Sequence, residues 1–473
     1  MAKTPNLLFI VADQFRAMCV ELGGDAVSTP FLDAMASDGV SLANAVSNYP
    51  VCSPHRAMMM SGQYPSFNGV TYNVNSETAE WGVGLRPDAP SWAGVLRDAG
   101  YNTGYIGKWH LEAPVSEDAI HGRGPLEDGR YWDAYSPLDR RHGFDFWYSY
   151  GCCDDHLSPH YWTGDAARHQ RVDVTGWSAA HETDMAIDFL HRAAGANRAP
   201  FALAVSWNPP HQPFDQLPDG HDASYAAMSP AELLTRPNVE LDSTIGREAA
   251  TIAPLYYAAV SAIDTQVGRL MQTLDELNLT ADTLVIFTSD HGQQMGSHEL
   301  LYKNVPFEES MRIPFILKWP GKLRRDPAMA GSVGLCSVDI APTLLGLLGY
   351  GGQVPSEMQG ADVSGALLQG GTNDAGQDAP PSYSALYFYY PRDETEHHVR
   401  GLRTATDKFI ARFNERDGLS TTLYDLAVDP FELVSVSDPE RIRIHAVALQ
   451  TKLAHASQTW PGEAALAALA EGR

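Results

Sequence analysis

A cysteine and an arginine one helical turn apart form the first pattern in this chain that could do chemistry. The stretch reads Cys52-Ser53-Pro54-His55-Arg56, and Ser53 followed by Pro54 is typical of a helix start. Backbone N–H groups and the helix dipole favour an anion at such a start, and Arg56 adds a charged donor on the same face. The pattern therefore predicts an anion-binding site beside a thiol, although an isolated cysteine is ordinarily a small buried side chain.

Two strongly apolar segments each end in polar side chains that could ligate a cation, namely Asp13, Gln14, Asp290 and His291. The carboxyl ends of parallel strands meet at one edge of a sheet, so residues distant in sequence can converge there. An aspartate at a strand end can also simply cap a turn. Carboxylate and amide oxygens suit Ca²⁺ or Mn²⁺, whereas imidazole suits Mn²⁺ or Zn²⁺. The sequence predicts a divalent metal site at this edge.

A lysine and a histidine lie close together after a third apolar segment, in the stretch Gly107-Lys108-Trp109-His110. Side chains alternate along a strand, so Lys108 and His110 would share one face. Taken alone, the pair could equally be a surface lysine and a histidine at the edge of the core.

These segments together resemble one known family. The Cys-x-Pro-x-Arg motif that contains Cys52 and Arg56 matches the signature of type I sulfatases, which belong to the alkaline phosphatase superfamily. The Lys-x-His segment at Lys108 and His110 and the Pro-His-x-Pro-Phe segment around His211 match the same family. The resemblance covers most of the chain.

The resemblance implies a mechanism and a set of site residues. A maturation enzyme would oxidise Cys52 to formylglycine, whose hydrate is the nucleophile, beside one divalent metal, with Ca²⁺ preferred and Mn²⁺ as the alternative. The reaction would be hydrolysis of a sulfate monoester to an alcohol and inorganic sulfate. The implied catalytic residues are Cys52, Arg56, Lys108, His110, His211 and Lys303. Among them Lys108 and Lys303 would contact sulfate, His110 would assist the nucleophile, and His211 would protonate the leaving oxygen.

The sequence departs from the commonest family pattern at two of the four implied metal ligands. Gln14 stands where most relatives have a second acid, and His291 stands where many have asparagine. The exchange removes a negative charge and adds an imidazole. The sequence therefore predicts that a metal binds but does not decide which metal.

Two alternative functions stay open. Phosphonate monoester and phosphodiester hydrolases resemble sulfatases in the Cys-x-Pro-x-Arg, Asp-Gln and Asp-His positions, and their substrates are monoanions like sulfate monoesters. A catalytically silent anion-binding homologue is the second alternative. Zinc-dependent phosphatases and mutases of the superfamily use Ser or Thr as the nucleophile, so Cys52 argues against them.

The elements that must position these residues alternate between apolar runs and helical stretches, which predicts an α/β fold with a mostly parallel sheet. Strands are expected at Leu7–Ala12, Thr103–Gly107, Phe201–Ser206, Leu284–Thr288 and Pro314–Leu317, and helices at Pro30–Asp38, Ser91–Ala99, Ala180–Ala193 and Tyr256–Leu277. Composition changes after a segment rich in Gly, Pro, Asp and Gln. We predict an alkaline phosphatase-like catalytic domain over 1–382 and a smaller α+β domain over 383–473.

Composition limits the partners of the protein. With 33 Lys+Arg against 58 Asp+Glu and a formal net charge of −25, nucleic acid and anionic membranes are disfavoured. The apolar run near the N-terminus is too short for a signal peptide or a membrane span. Five cysteines with only one adjacent pair favour a reducing environment, so we expect a cytoplasmic enzyme. A homo-oligomer is possible through the aromatic run at 387–390.

The substrate is not determined by the sequence. The missing leader favours a small imported sulfate ester, since carbohydrate sulfatases are often exported. Candidate residues for a leaving-group pocket, each of which could instead pack a loop, are Tyr72, Asn73, Trp132, His156 and His160.

Overall fold

The computed structural model describes residues 4–472 except 21–22, 123–128, 196–198, 222–223, 324–330, 369–382 and 394. In this part of the chain the strands are β1 (Asn6–Ala12), β2 (Val40–Ser41), β3 (Asn44–Val46), β4 (Asn102–Lys108), β5 (Phe146–Tyr150), β6 (His160–Thr163), β7 (Val172–Asp173), β8 (Phe201–Trp207), β9 (Thr283–Ser289), β10 (Phe315–Lys318), β11 (Gly334–Cys336), β12 (Ser384–Tyr389), β13 (His398–Thr404), β14 (Asp407–Asn414) and β15 (Gly418–Asp425).

The described α-helices surround these strands. They span Pro30–Asp38, Cys52–Ser61, Pro65–Asn68, Ser76–Glu80, Trp92–Asp98, Asp118–His121, Ser178–Ala193, Pro230–Leu233, Thr244–Glu276, Glu308–Met311, Ile340–Leu347, Ser364–Leu367, Pro439–His455 and Glu463–Ala470. In the described residues, no helix combines the length and the apolar character that a membrane crossing requires.

A nine-stranded sheet in the order β2-β10-β9-β1-β8-β4-β5-β6-β7 forms the centre of the molecule. Its inner strands β9, β1, β8, β4 and β5 run parallel, whereas β10, β2, β6 and β7 pair antiparallel towards the two edges. Every residue of β1, β8 and β9 is buried, because helices cover both faces. The predicted α/β class with a mostly parallel sheet is confirmed.

Two elements differ from their sequence-based prediction. β10 was expected to be parallel but pairs antiparallel with β9, because the connection between them forms only a four-residue helix and lacks the long helical crossover of a parallel pair. The helix predicted over 256–277 begins earlier, at Thr244, and includes Pro254. Burial of Ala249, Ala253 and Tyr256 on one helix face outweighs the cost of proline in the helix interior.

The C-terminal part of the chain forms a four-stranded antiparallel sheet, β12-β13-β14-β15. Its core is shared with Val46, Met58 and Tyr64 from the N-terminal part. The smaller α+β unit beside the large sheet agrees with the predicted fold class. Its boundary at 382/383 stays a prediction, since residues 369–382 lie outside the described part.

Buried ion pairs also join this unit to the rest of the molecule. Glu308 pairs with Arg403 at 3.0 Å and with Lys408 at 2.9 Å, and Lys408 reaches Glu432 at 2.7 Å. All four side chains are buried, so charge as well as apolar packing specifies how the two sheets contact each other.

Candidate active site

Cys52 is the first residue of the helix Cys52–Ser61, whose ten residues are all buried. The helix ends at Gly62, which adopts a left-handed conformation with φ 64°, as glycine allows. The Cys52 Sγ lies 3.3 Å from His291 Nε2, 3.4 Å from Lys303 Nζ and 3.6 Å from Asp13 Oδ1. The thiol therefore stands between acidic residues at strand ends and a lysine.

Charges around the thiol decide its protonation. Burial and Asp13 favour the neutral form, but the positive charges of Lys303 and Lys108 outweigh them and hold the pKa of Cys52 well below its usual range. A thiol with this environment is reactive, unlike an ordinary core cysteine.

The two acidic strand ends meet because β1 and β9 are neighbours in the sheet. Ala12 pairs with Ser289 in the parallel register, so Asp13 and Asp290 follow it side by side. Ligand atoms of Asp13, Cys52, Asp290 and His291 all lie within 4.8 Å of one another, and the four side chains are buried.

This cluster has the chemistry of a cation site. Burial and the neighbouring Asp13 carboxylate raise the pKa of Asp290 although Arg56 bonds both acids, since like charges close together oppose each other's ionisation. Two carboxylates and an imidazole are ligands that divalent ions accept. The residues present therefore fit a divalent metal.

Gln14, the fourth predicted ligand, lies beside the cluster with other partners. Its Oε1 accepts from Lys303 Nζ at 2.8 Å, its Nε2 donates to Gln212 Oε1 at 3.1 Å, and its backbone N–H donates to Asp290 Oδ1 at 3.0 Å. In this arrangement the amide orients Lys303, and its role as a metal ligand stays a prediction.

Arg56 lies behind the acidic pair. Its Nε donates to Asp290 Oδ2 at 2.9 Å and its Nη2 to Asp13 Oδ2 at 3.2 Å. Nη1 donates to Ser206 Oγ at 2.7 Å and to the Lys108 carbonyl at 3.0 Å. Each guanidinium nitrogen thus has a partner within the protein, and the side chain is 1% exposed. This geometry makes Arg56 a brace for the two carboxylates, and its catalytic role stays a prediction.

A cavity of about 300 Å³ opens in front of Cys52. It is lined by Cys52, Asn73, Lys108, His110, Trp132, Cys152, Asp154, His211, Gln212 and Lys303. The fold therefore brings five of the six predicted catalytic residues to one cavity, from β4, from loops after β8 and β9, and from the helix Cys52–Ser61.

Lys108 and His110 are each held in a defined state. Lys108 Nζ pairs with Asp13 Oδ2 at 2.7 Å and donates to Asn208 Oδ1 at 2.9 Å. His110 Nε2 contacts the Val74 carbonyl at 3.0 Å, which makes Nε2 the protonated nitrogen and leaves Nδ1 as an acceptor. Burial lowers the pKa of His110, so its neutral form is favoured.

His211 has the opposite tendency. Burial and Lys303 oppose a positive charge on its ring, but Asp154 and Asp13 favour it and raise the pKa of His211 to about 9. Its Nδ1 donates to the Gln212 carbonyl at 2.8 Å. The cavity thus contains one neutral histidine and one cationic histidine at neutral pH.

The predicted leaving-group residues divide into two sets. Asn73 and Trp132 line the cavity. His156 bonds the His211 carbonyl, His160 bonds Asp133, and the Tyr72 hydroxyl donates to the Pro391 carbonyl, so these three pack loops.

Sequence reasoning missed four residues of the site, namely Cys152, Asp154, Asn208 and Gln212. Asp154 follows β5, whose sequence Phe-Trp-Tyr-Ser-Tyr does not read as a short aliphatic run. Its place after a strand end is the signal that could have identified it.

Similarity to known proteins is extensive. The family model described as Sulfatase matches residues 5–350, and one described as N-sulphoglucosamine sulphohydrolase, C-terminal, matches residues 296–459. An endo-4-O-sulfatase of Bacteroides thetaiotaomicron is 37% identical over 382 residues, which cover 77% of this chain and 73% of the relative. An ulvan-active sulfatase of Formosa agariphila is 34% identical over 366 residues, which cover 76% of this chain and 64% of the relative.

Solved structures agree with this similarity. A Bacteroides fragilis protein assigned as the sulfatase yidJ superposes with a TM-score of 0.89 at 36% identity, covering 98% of both chains. A phosphonate monoester hydrolase of Agrobacterium radiobacter superposes with a TM-score of 0.61 at 22% identity, covering 96% of this chain and 95% of that one. The second likeness is one of fold alone.

Proposed function

Since this chain belongs to the sulfatase family and hydrolyses sulfate esters, we propose that it does so at the cavity in front of Cys52. The observation that carries this proposal is the position of the Cys52 thiol at a helix N-terminus, in contact with His291 on one side and Lys303 on the other. After oxidation of Cys52 to formylglycine by a maturation enzyme, its hydrate would supply the nucleophile.

A divalent metal would be held by Asp13, Asp290 and His291, with Gln14 as the predicted fourth ligand. Bound there, it would neutralise the two carboxylates and polarise a sulfate oxygen. The carboxylate oxygens support Ca²⁺, whereas His291 makes Mn²⁺ the alternative.

The two lysines would bind the sulfate group. Lys108 and Lys303 both line the cavity, and charge development on sulfate oxygens needs such fixed donors. A sulfate monoester carries one negative charge, so two ammonium groups suffice without a guanidinium in direct contact.

The two histidines divide the proton transfers. His211, kept cationic by its acidic neighbours, would give a proton to the leaving ester oxygen. His110, whose Nδ1 is left as an acceptor, would take a proton from the nucleophile. Opposite protonation states at one pH allow one site to supply both an acid and a base.

The leaving group is proposed to be a sugar hydroxyl. Two relatives, an endo-4-O-sulfatase and an ulvan-active sulfatase, support a carbohydrate substrate in place of the small imported ester that the sequence favoured. Trp132, Asn73 and Asp154 in the cavity support it too, because an aromatic face, an amide and a carboxylate are suited to a polyhydroxylated ring.

The test compares kcat/KM for 4-nitrophenyl sulfate with kcat/KM for a 4-nitrophenyl phosphonate monoester, using protein whose Cys52 conversion is verified by peptide mass. A ratio well above one is expected for a sulfatase. A ratio well below one would make phosphonate monoester or phosphodiester hydrolysis the selected activity. No turnover of either ester by fully converted protein would favour the silent homologue.

Three further properties stay predictions. They are conversion of Cys52 by a maturation enzyme in the host, a cytoplasmic location and a possible homo-oligomer. All five cysteines are buried. Cell fractionation and light scattering test the last two.

A further inference from the structure

Asp154 connects two basic residues of the cavity. Its Oδ1 accepts from Asn208 Nδ2 at 3.1 Å and lies 3.4 Å from His211 Nδ1. Asn208 Oδ1 in turn accepts from Lys108 Nζ at 2.9 Å. Asp154 is 34% exposed while the His211 side chain is 7% exposed, so the carboxylate stands at the mouth of the cavity and the imidazole lies inside it.

Sheet register places Asp154 there. β5 runs parallel to β4 with Tyr150 opposite Lys108, and Asp154 follows shortly after the carboxyl end of β5. The hydrogen bond from Asn208 then fixes the carboxylate, because Asn208 follows β8, the neighbour of β4 on its other side.

Several charged groups face His211. Lys303 and Lys108 oppose a positive charge on its ring, and Asp13 favours one from across the cavity. His156 contacts the His211 carbonyl, and burial lowers the pKa of His156 to about 4, so it adds no charge at neutral pH. Asp154 is the anion at 3.4 Å from the ring.

Asp154 itself is ionised. Burial opposes its charge, but His211, Lys108 and the hydrogen bond from Asn208 hold the pKa of its carboxyl well below the usual range. The Gln212 carbonyl accepts the Nδ1–H of His211, which leaves Nε2 for the substrate, and the fixed carboxylate beside Nδ1 favours the protonated ring.

We propose that Asp154 is a positioning residue, whose carboxylate lies 3.4 Å from Nδ1 of His211 and favours the cationic ring, while the Gln212 carbonyl accepts the Nδ1–H and the Nε2–H is left for the leaving ester oxygen. The inference rests on the proposed function. As the S–O bond breaks, its electron pair stays on the ester oxygen, which takes the Nε2 proton. The ring becomes neutral, its Nδ1–H stays bonded to the Gln212 carbonyl, and a proton from solvent restores the Nε2–H.

The first experiment measures pH profiles of kcat/KM for wild type, Asp154→Asn and the matched control Asp155→Asn. Asp155 is the adjacent carboxylate and accepts from the Ser158 N–H. Loss of an opposite charge 3.4 Å from the ring should move the basic limb of the Asp154→Asn profile to lower pH by about 1 to 3 pH units. The Asp155→Asn profile should match wild type, and Asp154→Glu should recover most of the shift.

The second experiment compares leaving groups. Phenyl sulfate needs protonation of its leaving oxygen more than 4-nitrophenyl sulfate does. The loss in kcat/KM on Asp154→Asn should therefore be larger for phenyl sulfate, and it should approach the ~10² to 10⁴-fold that a positioned general acid contributes. Equal losses for both esters, together with an unmoved basic limb, would overturn the proposal.

The third experiment separates this inference from the proposed function. NMR titration of the His211 ring in a Cys52→Ala background, with its signal identified by its loss in His211→Gln, needs no turnover. A lower His211 pKa in Asp154→Asn supports the inference even if wild type fails to hydrolyse sulfate esters, a failure that would count against the proposed function alone. An unchanged His211 titration would refute the coupling.

Discussion

Arg56 is a single side chain that holds two acidic strand ends together. It bonds both Asp13 and Asp290 while being 1% exposed. Because the guanidinium is planar and presents donors in a fork, it can bond two carboxylates at once. Its contribution is therefore to stability and to the shape of the carboxylate cluster, in addition to any effect on the anion.

Arg56→Ala is expected to lower the free energy of unfolding by about 3 to 5 kcal/mol, because it leaves buried carboxylates without their partner. Chemical denaturation measures this change. The matched control is Arg97→Ala, which breaks an exposed pair with Asp98 and should cost about 0 to 1 kcal/mol. Similar losses in the two variants would contradict a bracing role.

His211 predicts a pH dependence. Its pKa is raised from 6.5 to about 9, so the cationic acid is present below about 9 and is lost as pH rises through that value. Activity of wild type is expected to fall on the alkaline side of about pH 9. His211→Gln should retain low activity without this limb, and a limb that persists in that variant would assign it to another group.

Strand register and the start of one helix bring these residues together. Asp13 and Asp290 come together through the register of β1 and β9, and Cys52 meets them because its helix begins at that edge of the sheet. Two neighbouring strands and one helix start thus form the cluster. A bound cation should relieve the repulsion between the Asp13 and Asp290 carboxylates.

Ca²⁺ or Mn²⁺ is expected to raise the stability of chelator-treated protein, by about 2.7 kcal/mol at a hundred times its dissociation constant. Thermal unfolding with and without added ion measures the effect. Asp290→Asn, which removes one ligand charge, should respond much less. An equal stabilisation of that variant would show that the ion binds at another site.

The helix Cys52–Ser61 depends on its C-terminal glycine. Gly62 has φ 64°, and a Cβ there would lie 3.0 Å from Met358 side-chain atoms. Gly62→Ala should cost about 1 to 2 kcal/mol from the left-handed backbone alone, measured by denaturation. Gly352→Ala, where a Cβ meets nothing within 4 Å, should be near neutral. No cost at Gly62 would mean that the helix end rearranges.

At the scale of the whole molecule, the two sheets are joined by buried charge. Lys408 is fully buried between Glu308 and Glu432. Burial raises the pKa of Glu432 to about 7, although Lys408 opposes this shift. Removing the lysine would leave the buried Glu432 without its cation, while Glu308 keeps Arg403, and the loss should weaken the contact between the C-terminal unit and the rest.

Lys408→Met is expected to lower the free energy of unfolding by about 3 to 5 kcal/mol and to reduce resistance to limited proteolysis. The control is Lys318→Met, whose partner Asp38 is 59% exposed, with an expected cost of about 0 to 1 kcal/mol. Unchanged stability of Lys408→Met would show that apolar packing alone holds the two sheets.

Much of the fold could be predicted because strand burial is a local property. The apolar runs at β1, β8 and β9 are visible without knowledge of their neighbours, and the chemistry proposed for Cys52 follows from its motif. The direction of β10 could not be predicted, since it depends on how the chain returns along the sheet edge. The place of Asp154 in the cavity was missed because β5 is aromatic and was not recognised as a strand.

The sequence by itself determined which segments enter the core, the sulfatase resemblance and most of the residues around the cavity. Only the tertiary structure decided which side chains pair. Arg56 meets Asp290 across 234 positions of sequence, and Asp154 meets His211 only because β5, β4 and β8 are adjacent in the sheet. Local patterns specify burial, but hydrogen bonds and ion pairs need a distance of a few ångströms, which strand order and register alone provide.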